Sequence, residues 1–217
     1  AAVTAAMTSA SLAPPDPASF VRLSDSPLWA QQRAYFAHQG PRAWSSGAVP
    51  HYVTSTPYLA RAYADVIAGF GDDVVAAAGA ARTVTIVELG AGSGRLGWNI
   101  VRALRTIVDA RRRGWRARYV LTDFAEATVA WWQAHPWLRP LFDADLLDVA
   151  RFDLTRDHAL ALRHSGRTIS RIAPADALVV VANYVLDSVP QDVFAAHAGH
   201  LPLDRPRRHR HRQRALA

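Results

Sequence analysis

The chain has 217 residues, half of them hydrophobic and a fifth charged, with 25 basic residues, 18 acids and no cysteine. That length suits one domain with a real core, and the missing cysteine excludes disulfides and cysteine-ligated zinc. The net charge of +7 does not describe a folded basic groove: six of the arginines, Arg205, Arg207, Arg208, Arg210, Arg212 and Arg214, lie in the last thirteen residues, and without them 19 arginines face 18 acids.

Nucleic acid is therefore not an expected partner, because binding it needs positive charge clustered on one face. All 25 basic residues are Arg, which removes lysine Schiff-base and lysine general-base chemistry. The first seventeen residues lack a basic start followed by an apolar run. Nothing approaches the roughly 20 apolar residues of a membrane span. A cytoplasmic protein with no membrane partner is expected.

In chain order, residues 1–19 are rich in Ala, Ser and Pro and read as a disordered lead. Ser26-Pro27 caps a helix over 28–39 that stops at Gly40-Pro41. A loop over 42–55 contains Trp44, Pro50 and Tyr52. Thr56-Pro57 repeats the cap and opens a helix over 58–68, ended by Gly69, with Leu59, Ala62, Tyr63, Val66 and Ile67 on its apolar stripe.

From Thr83 the rhythm alternates between strand and helix. The apolar β-branched run 84–89 reads as a buried parallel strand. A helix over 95–110 follows, with Leu96, Ile100, Leu104 and Ile107 inward; then come a strand over 119–122 closed by Asp123 and a helix over 125–134. A weaker strand over 146–152, a helix over 155–165 and a strand over 177–182 complete the pattern. This order implies an α/β fold, Rossmann-like, with a parallel sheet and right-handed crossovers. The expected divisions are the lead (1–19), a helical lead-in (20–82), the Rossmann-like domain (83–196) and a basic tail (197–217).

The first strand runs straight into Glu88-Leu89-Gly90-Ala91-Gly92-Ser93-Gly94. Gly90, Gly92 and Gly94 permit a tight turn and leave no Cβ in the way of a ligand. The following helix points free amides and its positive dipole end at a bound carboxylate. S-adenosylmethionine carries such a carboxylate beside an ammonium and a sulfonium, toward which Glu88 would offer negative charge. A literal G-x-G-x-x-G, residues 92–97, also raises a dinucleotide site, but alone it is weak. Its acid is expected about 20 residues on, at the end of the second strand. Asp109 has the spacing but lies late in a helix, and Asp123, which ends the strand, comes later. S-adenosylmethionine is the better fit.

Asp123 at the tip of the second strand can accept both ribose hydroxyls, or cap the next helix. Asp153, ending the third strand, can receive the adenine amino group or cap a helix in its turn. Asn183 and Asp187 follow the fourth strand, where a methyl acceptor must reach the sulfonium, and are the candidates for orienting it. Methyl transfer is an in-line displacement in which positioning outweighs acid–base catalysis. For Asp187, too, helix capping is the plain alternative.

VELGAGSGRL, the strand ending LTDF and the segment VVVANYVLDSVPQDVF together resemble the MidA-like branch of class I S-adenosylmethionine-dependent methyltransferases, and HYVTSTPYLARAYADVIAGF resembles that family's lead-in. The resemblance covers about residues 44–194. It implies a Rossmann-like methyltransferase fold, S-adenosylmethionine as methyl donor and, from the family's mitochondrial members, protein arginine as one acceptor. Tyr184 stands where the family pattern usually has Glu. The resemblance stops near Phe194, before the further strands of that fold, so the sheet is expected to be truncated after strand four. The Pro, His and Arg density beyond it is what a shifted reading frame in GC-rich DNA gives.

The expected function is transfer of a methyl group to a protein or small molecule. A catalytically silent S-adenosylmethionine-binding module and an NAD-linked oxidoreductase are the alternatives. Trp131, Trp132 and Trp137 read as core and loop packing, and Arg111, Arg112, Arg113, Arg116 and Arg118 as a solvated turn. The His197/His200 and His209/His211 pairs lack a convincing ligand set, so no metal site is expected. Oligomeric state is open, since a truncated sheet would leave an edge exposed.

Overall fold

The computed structural model describes residues 22–79, 82–111, 114–171 and 177–192. The predicted lead (1–19) and basic tail (197–217) lie outside the described residues. Two compact units are present: Trp29–Val189, and one formed by the two terminal segments. In the latter, Asp192 accepts hydrogen bonds from the Ser24 N–H (2.9 Å) and the Arg22 guanidinium (2.8 Å).

The larger unit is an α/β layer structure. Its helices are α1 (Pro27–Gln39), α2 (Arg42–Ser45), α3 (Pro57–Ala78), α4 (Arg95–Arg111), α5 (Glu126–Ala134) and α6 (Arg139–Asp143). Its strands are β1 (Arg82–Glu88), β2 (Trp115–Asp123), β3 (Leu147–Arg151), β4 (Leu160–Ala161), β5 (Thr168–Ile169) and β6 (Ala177–Val181). Four of them form a parallel sheet in the order β3-β2-β1-β6, compatible with a Rossmann-like fold.

Strand alternation sorts the side chains between two faces. Val84, Ile86, Tyr119, Leu121, Leu147 and Val149 join the large cluster that includes residues of α3, α4 and α5. Val87, Val120 and Ala150 instead pack with Leu160 and Leu162. The predicted inner face of α4 is buried as expected. Within the lead-in, Ala60, Ala64, Ile67 and Ala68 of α3 belong to the same cluster as β1.

Four expectations are corrected. Gly69 does not end α3, which continues to Ala78 and closes on Gly79 in the left-handed conformation. A glycine inside a helix costs only about 1 kcal/mol relative to alanine, less than the packing of α3 against α4 returns. The buried stripe is rotated as well: Ala60, Ala64, Ile67, Ala68 and Gly71 face inward, while Val66 is 74% exposed. Small side chains let α3 approach closely, and a Cβ on Gly71 would stand 2.3 Å from the Trp115 ring.

No helix forms over 155–165. The segment holds β4, which pairs antiparallel with β5. The cause is Asp148, buried on β3, whose carboxylate accepts the backbone N–H groups of His164 (2.9 Å) and Ser165 (3.1 Å) and so fixes the turn between them. Lastly, β2 starts at Trp115, so Arg116 and Arg118 belong to a strand rather than a solvated turn; Arg118 reaches Asp145 at 2.9 Å.

Two neighbouring glycines of α3 therefore respond oppositely to alanine. Gly69→Ala, with no atom within 4 Å of its new Cβ, is expected to stabilise the fold by about 0.5–1 kcal/mol. Gly71→Ala, driven into Trp115, is expected to destabilise it by about 1–3 kcal/mol. Urea unfolding of both variants checks the pair.

Candidate cofactor site

The parallel register sets Glu88 beside Leu121 on one side and Val181 on the other. The carboxyl ends of the four strands thus bring Glu88, Asp123, Asp153 and Asn183 to one end of the sheet. Over that end lies the glycine turn, pinned to both neighbouring strands. The Leu89 N–H donates to the Val181 carbonyl (2.9 Å), and the Ala91 N–H donates to the Thr122 carbonyl (2.8 Å).

Gly90, Gly92 and Gly94 have φ of 61°, 54° and 66°, the left-handed region that favours glycine. The space beside each is not open, contrary to the simplest reading of the motif. A Cβ on Gly90 would stand 2.6 Å from Val185, one on Gly92 2.5 Å from the Trp44 ring, and one on Gly94 2.8 Å from Trp132 Nε1. Protein side chains fill all three positions.

Glu88 does not offer a free negative charge to a ligand. Strand alternation turns its carboxyl to the same face as Ile86, where it is buried and accepts a hydrogen bond from the Tyr119 hydroxyl at 3.0 Å. A Cβ on Gly97 would stand 2.5 Å from its Oε2, so glycine there gives the carboxyl its room under α4. Burial raises its pKa from 4.5 to about 8, against the opposing hydrogen bond from Tyr119, and it is mostly protonated at neutral pH.

Asp123 is buried at the tip of β2 and accepts the Ala125 N–H at 2.9 Å. It also accepts from the N–H groups of Phe124 and Gly92, while burial, the larger effect, raises its pKa to about 6. It therefore sits beside the glycine turn and holds the chain that enters α5. The expected helix cap is not formed, because the N-cap of α5 is Ala125 and no side chain caps it; Asp123 instead holds the chain just ahead of the helix.

Asp153 is bound by the chain itself. The Arg33 guanidinium grips both carboxylate oxygens, and the Thr155 hydroxyl donates at 2.7 Å. Burial works against its charge, yet the Thr155 and Arg33 hydrogen bonds prevail and hold the pKa below the usual carboxylate range. It closes a turn with Thr155 and caps no helix.

Asn183 donates its side-chain amide to the Thr54 carbonyl (3.3 Å). Asn99 of α4, which is buried, donates to the Ser55 carbonyl (3.1 Å). Two amides thus hold the Thr54-Ser55 step. Tyr184, next to Asn183, has φ of 54°, a strained conformation for a residue with a Cβ. Asp187 is exposed in the short 3-10 turn Leu186–Ser188, and no longer helix follows it among the described residues.

Arg33, Trp44 and Asn99 were not legible as members of this site. Trp44 stood in a loop with no periodicity, and only the alternation of β1 could have foretold the inward turn of Glu88. Trp132 is buried against Gly94 as core, while Trp137 is 69% exposed and stacks on Trp98 at 6.0 Å. Asp109 pairs with Arg105 on α4, about 20 Å along the helix from the glycine turn at about 1.5 Å per residue. Among the described residues no group of three or more His, Asp or Glu lies close enough to hold a metal ion, and no helix is long and apolar enough to cross a membrane. The histidine pairs of the tail fall outside the described residues.

The chain matches no protein-family model. Neither a curated protein nor a solved structure matches it.

Because folded Glu88 binds its proton more tightly than the unfolded chain does, its contribution to stability is complete below about pH 4.5. It declines as pH rises and is gone above about pH 8. Each pH unit inside that window removes about 1.4 kcal/mol. Between pH 6.5 and 8, above the Asp123 transition, urea unfolding should show a loss of about 2 kcal/mol in the native chain relative to Glu88→Gln. Equal pH profiles for the two would contradict a buried, protonated Glu88.

Proposed function

We propose that the Trp29–Val189 unit binds S-adenosylmethionine and is the cofactor-binding part of a class I methyltransferase. The observation that carries this reading is the place of Asp123 at the tip of β2 beside the glycine turn, which the Ala91 N–H pins to the carbonyl of Thr122, the residue before Asp123. It sets an acid from the tip of β2 against a left-handed glycine turn that opens a helix, the pairing that ribose hydroxyls and a carboxylate require. The resemblance of VELGAGSGRL and VVVANYVLDSVPQDVF to the MidA-like family supports the same reading. The remoteness of Asp109 speaks against the dinucleotide alternative.

Bound there, S-adenosylmethionine would supply an electrophilic methyl on a sulfonium. The start of α4 would receive its carboxylate. Asp123 would accept the ribose hydroxyls, and Asp153, once released by Arg33, the adenine amino group. Asn183 and Asp187, beyond β6, would orient an acceptor beside the turn, where alignment governs the rate. Glu88, protonated beneath the turn, acts as a brace between β1, β2 and α4. The acceptor is a protein or small molecule; the family resemblance points to protein arginine.

A silent binding module is the second reading, favoured by the Trp44 and Arg33 side chains that fill the turn and engage Asp153. A radiolabelled methyl-transfer assay on candidate acceptors separates the two.

Calorimetry should detect binding of S-adenosylhomocysteine and none of NAD. Asp123→Asn should weaken S-adenosylhomocysteine about 10- to 100-fold, the cost of about 1.5–3 kcal/mol in charge-assisted hydrogen bonds. An unchanged affinity would remove Asp123 from the site, and binding of neither ligand would reject both cofactor readings.

A further inference from the structure

The segment just ahead of the Thr54-Ser55 step covers the groups a nucleoside cofactor needs. The Trp44 ring lies directly on Gly92, and Phe36 stacks on Trp44 with ring centres 5.6 Å apart. Arg33 holds Asp153 and sits over the Phe124 ring at 4.4 Å. Between them the Gly40 turn rests on α5, where a Cβ on Gly40 would approach Ala127 Cβ to 3.2 Å.

The cover repeats the chemistry of what it would displace. It does so at Asp153, where N–H donors stand as an adenine amino group would, while the Trp44 ring fills the space beside Gly92. Its attachment is lighter than that of α3: α1 buries no residue fully and the rest of the cover buries only Gly40 and Ala43, whereas α3 buries five. Gly47, in the left-handed region with no atom within 4 Å of a Cβ, follows α2 and gives the chain a place to bend.

We propose that α1 and α2 form a lid closed over the glycine turn, latched by the Arg33–Asp153 ion pair and by Trp44 on Gly92. It must swing away before a nucleoside-bearing cofactor can bind. This rests on reading the turn as a cofactor cradle. The closed lid lowers apparent affinity by the fraction of molecules that are open, so weakening the latch raises affinity toward its intrinsic value.

The test uses the full chain as wild type, Arg33→Ala and Trp44→Ala. Hydrogen exchange without ligand is read at residues 33–46 and 89–94, with the strand amides of β1 and β2 as internal control for an intact fold. Calorimetry with S-adenosylhomocysteine follows. The lid predicts faster exchange in both segments of Arg33→Ala, unchanged strand protection, and about tenfold tighter binding in Arg33→Ala and Trp44→Ala if one molecule in about ten is open beforehand.

Unchanged exchange at those segments would overturn the lid, as would equal or weaker binding by variants whose strands remain protected. Absence of binding by all three chains would defeat the cofactor reading instead. Exchange would then decide the lid alone, faster exchange upholding the latch and unchanged exchange removing it.

Discussion

The site depends on two backbone hydrogen bonds that fasten the glycine turn to the strands on either side of β1. With Leu89 tied to Val181 and Ala91 tied to Thr122, the chain leaves the sheet in a path that only left-handed residues can follow. The same two bonds set how closely neighbouring parts approach. Val185, Trp44 and Trp132 each stand where a Cβ on Gly90, Gly92 or Gly94 would be. The glycines are therefore required twice, by dihedral angle and by space, and the second requirement comes from the protein.

Three acids meet at this end of the sheet, and their surroundings give them three different states. Glu88 is shut away with one hydroxyl donor, and keeping its proton costs far less than burying its charge. Asp123 is equally enclosed but faces backbone N–H groups, which favour the anion and bring its pKa to about 6. Asp153 has a guanidinium and a hydroxyl, enough to hold its charge through burial. Asp123 lies between the glycine turn and the start of α5, whose Ala125 N–H it accepts.

The parallel sheet and most of its elements were legible because β-branched runs, helical stripes and caps agreed with one another. The failures occurred where a tertiary contact overruled a local signal. Gly69 reads as a stop, yet α3 continues because packing on α4 outweighs one glycine. Residues 155–165 have a helical composition, but Asp148, distant in sequence, captures their backbone in a turn. Glu88, Asp123, Asp153 and Asn183 could be gathered from strand ends alone. Their partners Tyr119, Arg33 and Thr54 could not, because the spacing between them carries no period.

The contacts around the site fall into a fixed part and a removable one. Asn99 and Asn183 hold Thr54 and Ser55 by backbone carbonyls, and α3, which begins two residues later, is anchored in the core. Ahead of that step the chain meets the body through the Arg33–Asp153 ion pair, Arg33 on the Phe124 ring, Trp44 on Gly92 and the Gly40 turn on α5. Of these bonds only that of Asn99 is buried; that of Asn183 is part-buried, as is the Arg33–Asp153 pair. A ligand offering Asp153 the same donors would compete with Arg33 for it. The boundary between the two parts, at residues 47–53, lies beside the glycine turn, so a lid hinged there would change access to the turn without disturbing the sheet beneath it.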